Sequence, residues 1–299
     1  MKKLILVLMI VVCFAPLGKA QVSDVLDGIY VKEHVPARKP VPYHHLREAD
    51  MMWTKKLWRI LDLKEKLNHP LFYPTASTPK MDDRYSLINL LLYGVQNEGL
   101  VVYDPSVDDE FSTPMTAQQI DDKFGVSNDT TYVDDPETGE SVQKIIKTEM
   151  NTAEVERLMT KEVWYFDKQR AMLECRIVGL CPIRMYERKA TLNSDAGTPT
   201  QGGDTEEKEL EMKQVFWVYF PAARPLLANH EVFNTNNDAE RRTFDDIFFK
   251  RRFSSYIYKE TNVYDNRYIG EFKFGLDALL ESERIKDFVF KFEHDLWEY

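Results

Sequence analysis

Glycine and cysteine are both scarce in this chain, twelve and three among 299 residues. So few glycines disfavour the Gly-rich loops that cradle phosphates and dinucleotides. Neither a Gly-x-Ser-x-Gly elbow nor a His-Glu-x-x-His pair occurs. After the first twenty residues no stretch is apolar enough to cross a bilayer as a helix. Positive charge is short as well. The 39 Lys and Arg stand against 49 Asp and Glu, a formal net charge of −10, which makes nucleic acid and anionic lipid poor partners. What is present suffices for a core: 43 % of residues are hydrophobic and 12 % aromatic, enough for one large domain or two modest ones.

Lys2 and Lys3 precede an apolar run, Leu4 to Val12, followed by Pro16 and the ending Gly18-Lys19-Ala20. A basic start, a short apolar stretch and a small-x-small ending read as a secretory signal peptide, residues 1–20, cleaved before Gln21. Cys13 follows Val11-Val12 without the small residue expected before a lipid-bearing cysteine. A lipoprotein ending at Cys13 is therefore the second reading, and no lipid anchor is expected. Export permits a disulfide between Cys175 and Cys181. If they share one strand, six steps of about 3.3 Å hold them about 20 Å apart, against the roughly 7 Å that a disulfide tolerates. Only a turn at Val178-Gly179 lets them pair, so two buried thiols are expected.

Residues 21–47 carry Pro36, Pro40 and Pro42, and proline at this density opposes helix and sheet alike. Residues 32–47 set four cations, Lys32, Arg38, Lys39 and Arg47, against Glu33. The segment reads as an extended basic arm on an acidic body, either a loose tail or a strap that docks on a neighbour. Pro36, Arg38, Lys39, Pro40 and Tyr43 are the residues expected to make that contact.

The folded part divides into an α+β stretch over 48–150 and another over 151–299, with a Ser, Thr, Gly and acid-rich loop at 191–209. A short helix is expected from Met51, then a strand over Leu57–Leu61. Ile88, Leu91, Leu92 and Val95 fall at helical spacing. Leu100–Tyr103 reads as a strand, and 116–124 as a short helix closed by Gly125. Thr130–Val133 and Val142–Lys147 read as a hairpin about a Pro and Gly turn at 135–139. Asn151 with Glu154, and Asn237 with Glu240, resemble capping boxes that open helices, the second carrying Phe244, Ile247 and Phe248. Strands are expected at Val163–Phe166, Met172–Tyr186, Val215–Phe220 and Phe253–Tyr258. A last helix places Ile285, Phe288, Val289, Phe292 and Leu296 on one stripe. Thr54–Trp58, Thr160–Trp164 and Lys250–Phe253 recur as basic-then-aromatic junctions, read as a duplicated unit or as chance. The class is α+β, helices with largely antiparallel strands.

Chemistry is thin. Acidic pairs such as Asp108-Asp109, Asp134-Asp135 and Asp245-Asp246 are sequence neighbours, whereas glycosidase carboxylates face one bond from two sides. Asp134-Asp135-Pro136-Glu137 lacks the Gly and terminal Glu of a calcium loop. His44, His45 and Glu48 have metal-ligand types but lie on the Pro-rich arm, which cannot pre-organise a metal. No cofactor, no metal and no catalytic residue is expected.

Several segments, taken in order, resemble the GldN (PorN) family of the Bacteroidetes type IX secretion and gliding machinery. They are Asp24–Tyr30 with the Pro-rich arm, Glu48–Trp53, Trp58–Lys66, Leu71–Pro74, Arg176–Arg184 and Phe244–Phe248. Cys181 stands where that pattern has a small residue before the proline. The resemblance implies a non-enzymatic structural subunit in the periplasm that self-associates in a ring with the outer-membrane lipoprotein GldK (PorK). It also implies a link to the periplasmic part of GldM (PorM) and a role in secreting cargo proteins. An exported hydrolase or glycan-binding protein is the alternative.

Overall fold

Residues 51–62 alternate between two faces along their whole length, and the computed structural model places them in one strand, β1 (Met51–Asp62). The model describes residues 38–75, 84–126, 128–134, 141–147, 150–187, 210–237 and 239–296. The expected signal peptide, Pro36, the 135–139 turn and the 191–209 loop lie outside these. The helix expected from Met51 is instead a single 3-10 turn at Glu48–Asp50. From Met51 on, pairing with a neighbouring strand wins, because it satisfies the backbone along the full strand.

After β1 come α1 (His69–Phe72), α2 (Leu87–Asn97), β2 (Val102–Tyr103), α3 (Ala117–Phe124), and the hairpin β3 (Asn128–Asp134) with β4 (Ser141–Lys147). Then follow β5 (Val155–Asp167), β6 (Met172–Glu187), β7 (Leu210–Gln214), β8 (Trp217–Tyr219), α4 (Phe220–Asn229), β9 (Glu231–Val232), β10 (Arg242–Thr243), α5 (Phe244–Phe249), β11 (Tyr256–Glu260) and α6 (Leu276–Asp295). The main sheet has the order β11-β1-β5-β6-β8-β2, with β7 also on β6, and every pair is antiparallel. It draws β1 and β2 from before residue 150 and the other strands from after it. The class is α+β, as the sequence pattern implies.

The local signals hold where no larger pairing competes. α3 starts with the Gln119 side chain accepting from the Thr116 N–H at 2.9 Å. It ends at Gly125, whose φ of 72° suits a residue without a Cβ. The Asn151–Glu154 signal closes only a 3-10 turn at Thr152–Glu154, because Val155 already belongs to central strand β5, held between β1 and β6. Asn237 caps a turn at Ala239, and the true start of α5 is the box of Thr243 and Asp246. The strand expected from Val215 is shortened to β8, and Phe220 opens α4. This helix is unforeseen because Pro225 lies inside it; Pro221 sits in its first turn, where proline is tolerated.

The repeated junction has a physical origin. Thr54–Trp58 lies within β1 and Thr160–Trp164 within β5, and the two cross antiparallel with Trp58 opposite Lys161 and Lys55 opposite Trp164. The repetition is thus a pair of Lys–Trp cross-strand matches. On that side of the sheet, Lys161 and Lys259 lie 5.5 and 4.4 Å over the Trp58 ring. β6 runs unbroken through Cys175 and Cys181, both free thiols; Cys181 is buried as expected, whereas Cys175 is only half-buried.

Two covers close the opposite face. A large cluster joins Leu61, Leu158, Ile177 and Leu180 of the sheet to α2, α4 and α5. A smaller one joins Leu57 and Ile257 to Ile285 and Val289 of α6. Phe292 of the expected stripe stacks on Trp53 at 4.6 Å, while Leu296 is exposed. The Trp58 face is covered by Phe111, which has a φ of 62° and meets Trp217, Tyr219 and Tyr103 edge-on. Gly179 of β6 gives that ring its room: a Cβ there comes within 2.6 Å of it. Gly179→Ala is expected to displace Phe111 and cost about 1–3 kcal/mol, read from the denaturant midpoint; an unchanged midpoint refutes the close fit.

Candidate functional site

Two prolines in five residues leave the stretch from Arg38 to Arg47 short of backbone donors, so side chains must hold it. They hold it to the chain's own body. Arg38 donates to the Arg241 carbonyl at 3.2 Å and to the Asp246 carboxylate at 3.1 Å. Tyr43 stacks on Phe249 with ring centres 5.9 Å apart, and the guanidinium groups of Arg224 and Arg176 lie 4.4 and 5.0 Å from its ring centre. Arg176 also donates to the His44 carbonyl at 2.7 Å. The His44 ring lies between two acids, 3.4 Å from Asp167 and 3.6 Å from Glu174. Of the residues singled out from sequence, Arg38 and Tyr43 are therefore anchors on this body, Pro40 is half-buried, and Lys39 is exposed. His45 and Glu48 are exposed, apart from the acids that face His44.

The seat is built by buried charge. Arg224 of α4 and Asp245 of α5 form a two-pronged pair at 2.8 and 3.0 Å, both nearly excluded from solvent. That pair ties the two helices and supplies the cation beneath Tyr43. At Asp246, burial opposes ionisation, yet hydrogen bonds from Thr243 and the charges of Arg38 and Lys250 outweigh it and hold the carboxyl below its usual range.

Beside the arm a cavity of about 390 Å³ is lined by Pro42, Tyr43, His44, Cys175, Arg176 and Arg251, among others. One of its lining residues, Arg251, is ion-paired to a strand of the sheet. Glu162 of β5 is fully buried, and both its oxygens accept from Arg251 at 3.0 Å, with the Trp164 indole N–H at 3.1 Å. Arg251 follows α5 with a φ of 52°, a conformation usually left to glycine. The strain, of order 1–2 kcal/mol, is tolerated because from that position the guanidinium reaches both oxygens of Glu162. The Cys175 thiol lies 3.1 Å from Arg251, but burial and the Glu162 charge push its pKa well up, so it stays a thiol and a poor nucleophile.

Sequence reading missed Glu162, Arg224, Asp245 and Arg251. For Glu162 a signal exists: a lone acid in the strand run from Val163 to Phe166 and its flank is costly unless paired.

A family model described as "Gliding motility associated protein GldN" matches residues 46–298. No curated protein matches the chain.

Proposed function

We propose, from the premise that this chain belongs to the GldN family of gliding motility associated proteins, that it is a non-enzymatic structural subunit of a type IX secretion system. The single observation that carries this reading is the family match over residues 46–298, which takes in nearly the whole described body. In this reading the protein is exported to the periplasm through its leader. There it self-associates in a ring with a GldK-like (PorK-like) outer-membrane lipoprotein, and it meets the periplasmic part of a GldM-like (PorM-like) protein.

The anchoring of Arg38 and Tyr43 refines the role of the arm. Residues 38–47 fix its base on the body, and the residues upstream, Pro36 among them, are assigned to the partner contact. Deleting 21–37 is expected to leave the melting temperature unchanged while weakening co-purification with the lipoprotein. A truncated chain that co-purifies in full yield would sink the arm's role, and a host that secretes its cargo normally without the protein would sink the subunit reading.

A further inference from the structure

Between the two hydrophobic covers the sheet face is open at Arg59 and Trp164. A cleft of about 410 Å³ is lined by Arg59, Trp164, Arg251, Ser254, Ser255 and Lys286, with Leu67 and Phe253 beside them. A second cavity of about 420 Å³ shares Arg59, Trp164 and Lys286 with it and adds the apolar Leu57, Ile257, Val289 and Phe290. One groove therefore has a cationic end and an apolar end.

At the cationic end Lys286 is paired with Glu283 at 3.4 Å, and Arg59 is the cation left without a direct partner among the described residues. Glu162 spends both carboxylate oxygens on Arg251. Arg59 has no hydrogen bond or ion pair to a described residue, and its Nε is buried without a partner. Burial works against its charge, Glu162 and, less strongly, Glu283 support it, and Arg251 repels it. A cation so placed is complementary to an incoming anion. At the apolar end Leu57, Ile257 and Val289 are buried in the α6 cluster, and Phe290 is left 66 % exposed at its rim.

We propose that this groove is a docking site for a partner polypeptide that carries a carboxylate beside a large apolar side chain. The carboxylate pairs with Arg59, and the apolar side chain lies against the exposed ring of Phe290. Asp287 and Glu293 border the apolar end, which suits the N–H groups or a cationic side chain of a peptide and offers nothing to the tail of a lipid. The proposal rests on the groove's own chemistry and is independent of the secretion reading.

Random peptides displayed on phage and selected on the immobilised full chain should converge on Asp or Glu next to Leu, Ile or Phe. The synthesised consensus peptide should bind Arg59→Gln at least about tenfold more weakly, with partial recovery in Arg59→Lys. Because the Arg59 side chain makes no hydrogen bond or ion pair to a described residue, Arg59→Gln is expected to melt no lower than the parent. The same peptide with its acid changed to the amide reads the contact without touching the protein and should lose affinity alike. An acid-free consensus, equal binding of the amide peptide, or equal binding by Arg59→Gln overturns the proposal. Displacement of the peptide by an equal concentration of dodecanoate also overturns it, in favour of a lipid.

Discussion

Glu162→Ala is expected to remove about 3–5 kcal/mol of stability, lowering the melting temperature by about 10 °C in a domain of this size. The carboxylate is fully buried and is the one anion in contact with the Arg251 guanidinium. Without it, Arg251 and the unpaired Arg59 are left facing one another in a region of low dielectric, and the Trp164 indole N–H loses its acceptor. An ion pair broken on one side costs far more than a pair replaced whole. The double variant Glu162→Leu with Arg251→Leu is therefore expected to recover most of the loss. It also relieves part of the electrostatic demand that keeps a side chain at the φ of 52°. A loss below about 1 kcal/mol for Glu162→Ala would mean that the pair is screened like a surface contact.

Asp245→Ala is expected to cost about 3 kcal/mol and, in addition, to loosen the arm. Its partner Arg224 is as buried as Asp245 itself, so the guanidinium stays behind without a counter-charge. Arg224 is also the cation nearest the Tyr43 ring, at 4.4 Å. Movement of Arg224 should unseat Tyr43, and amide hydrogen exchange over 42–47 should speed up while exchange in β5 and β6 stays slow. The adjacent residue gives the contrast. Asp246→Ala removes a capping-box partner and the pairing with Arg38, worth at most about 1 kcal/mol as a cap. Equal losses at the two positions would show that burial at Asp245 does not govern the site.

The sequence made legible those elements whose signals are local and unopposed. Leucines at helical spacing gave α2, and Gly125 closed α3. The uninterrupted run from Met172 gave β6 and, with it, two cysteines too far apart to bond. Errors arose where a local signal met a stronger distant one. Asn151 and Glu154 do cap a turn, but β5 is claimed by strands on both sides, one drawn from residues 51–62. The site was less legible than the fold because its parts are scattered. Arg251 and Glu162 are 89 positions apart, and Arg224 and Asp245 are 21 apart. Proline density predicts an arm without helix or strand, and of it residues 38–47 are described, with only a 3-10 turn from Glu48 following; the pattern does not report where such a chain lies. Tyr43, a lone aromatic between prolines and histidines, was the one residue whose apolar ring required a seat.

Gentle detergent extraction of the native envelope, followed by electron microscopy of whatever co-purifies with this chain, tests the assembly role most directly. A ring-sized particle containing many copies of the chain together with an outer-membrane lipoprotein is the expected result. Recovery of the chain only as a free monomer, with no lipoprotein and no ring, would contradict it.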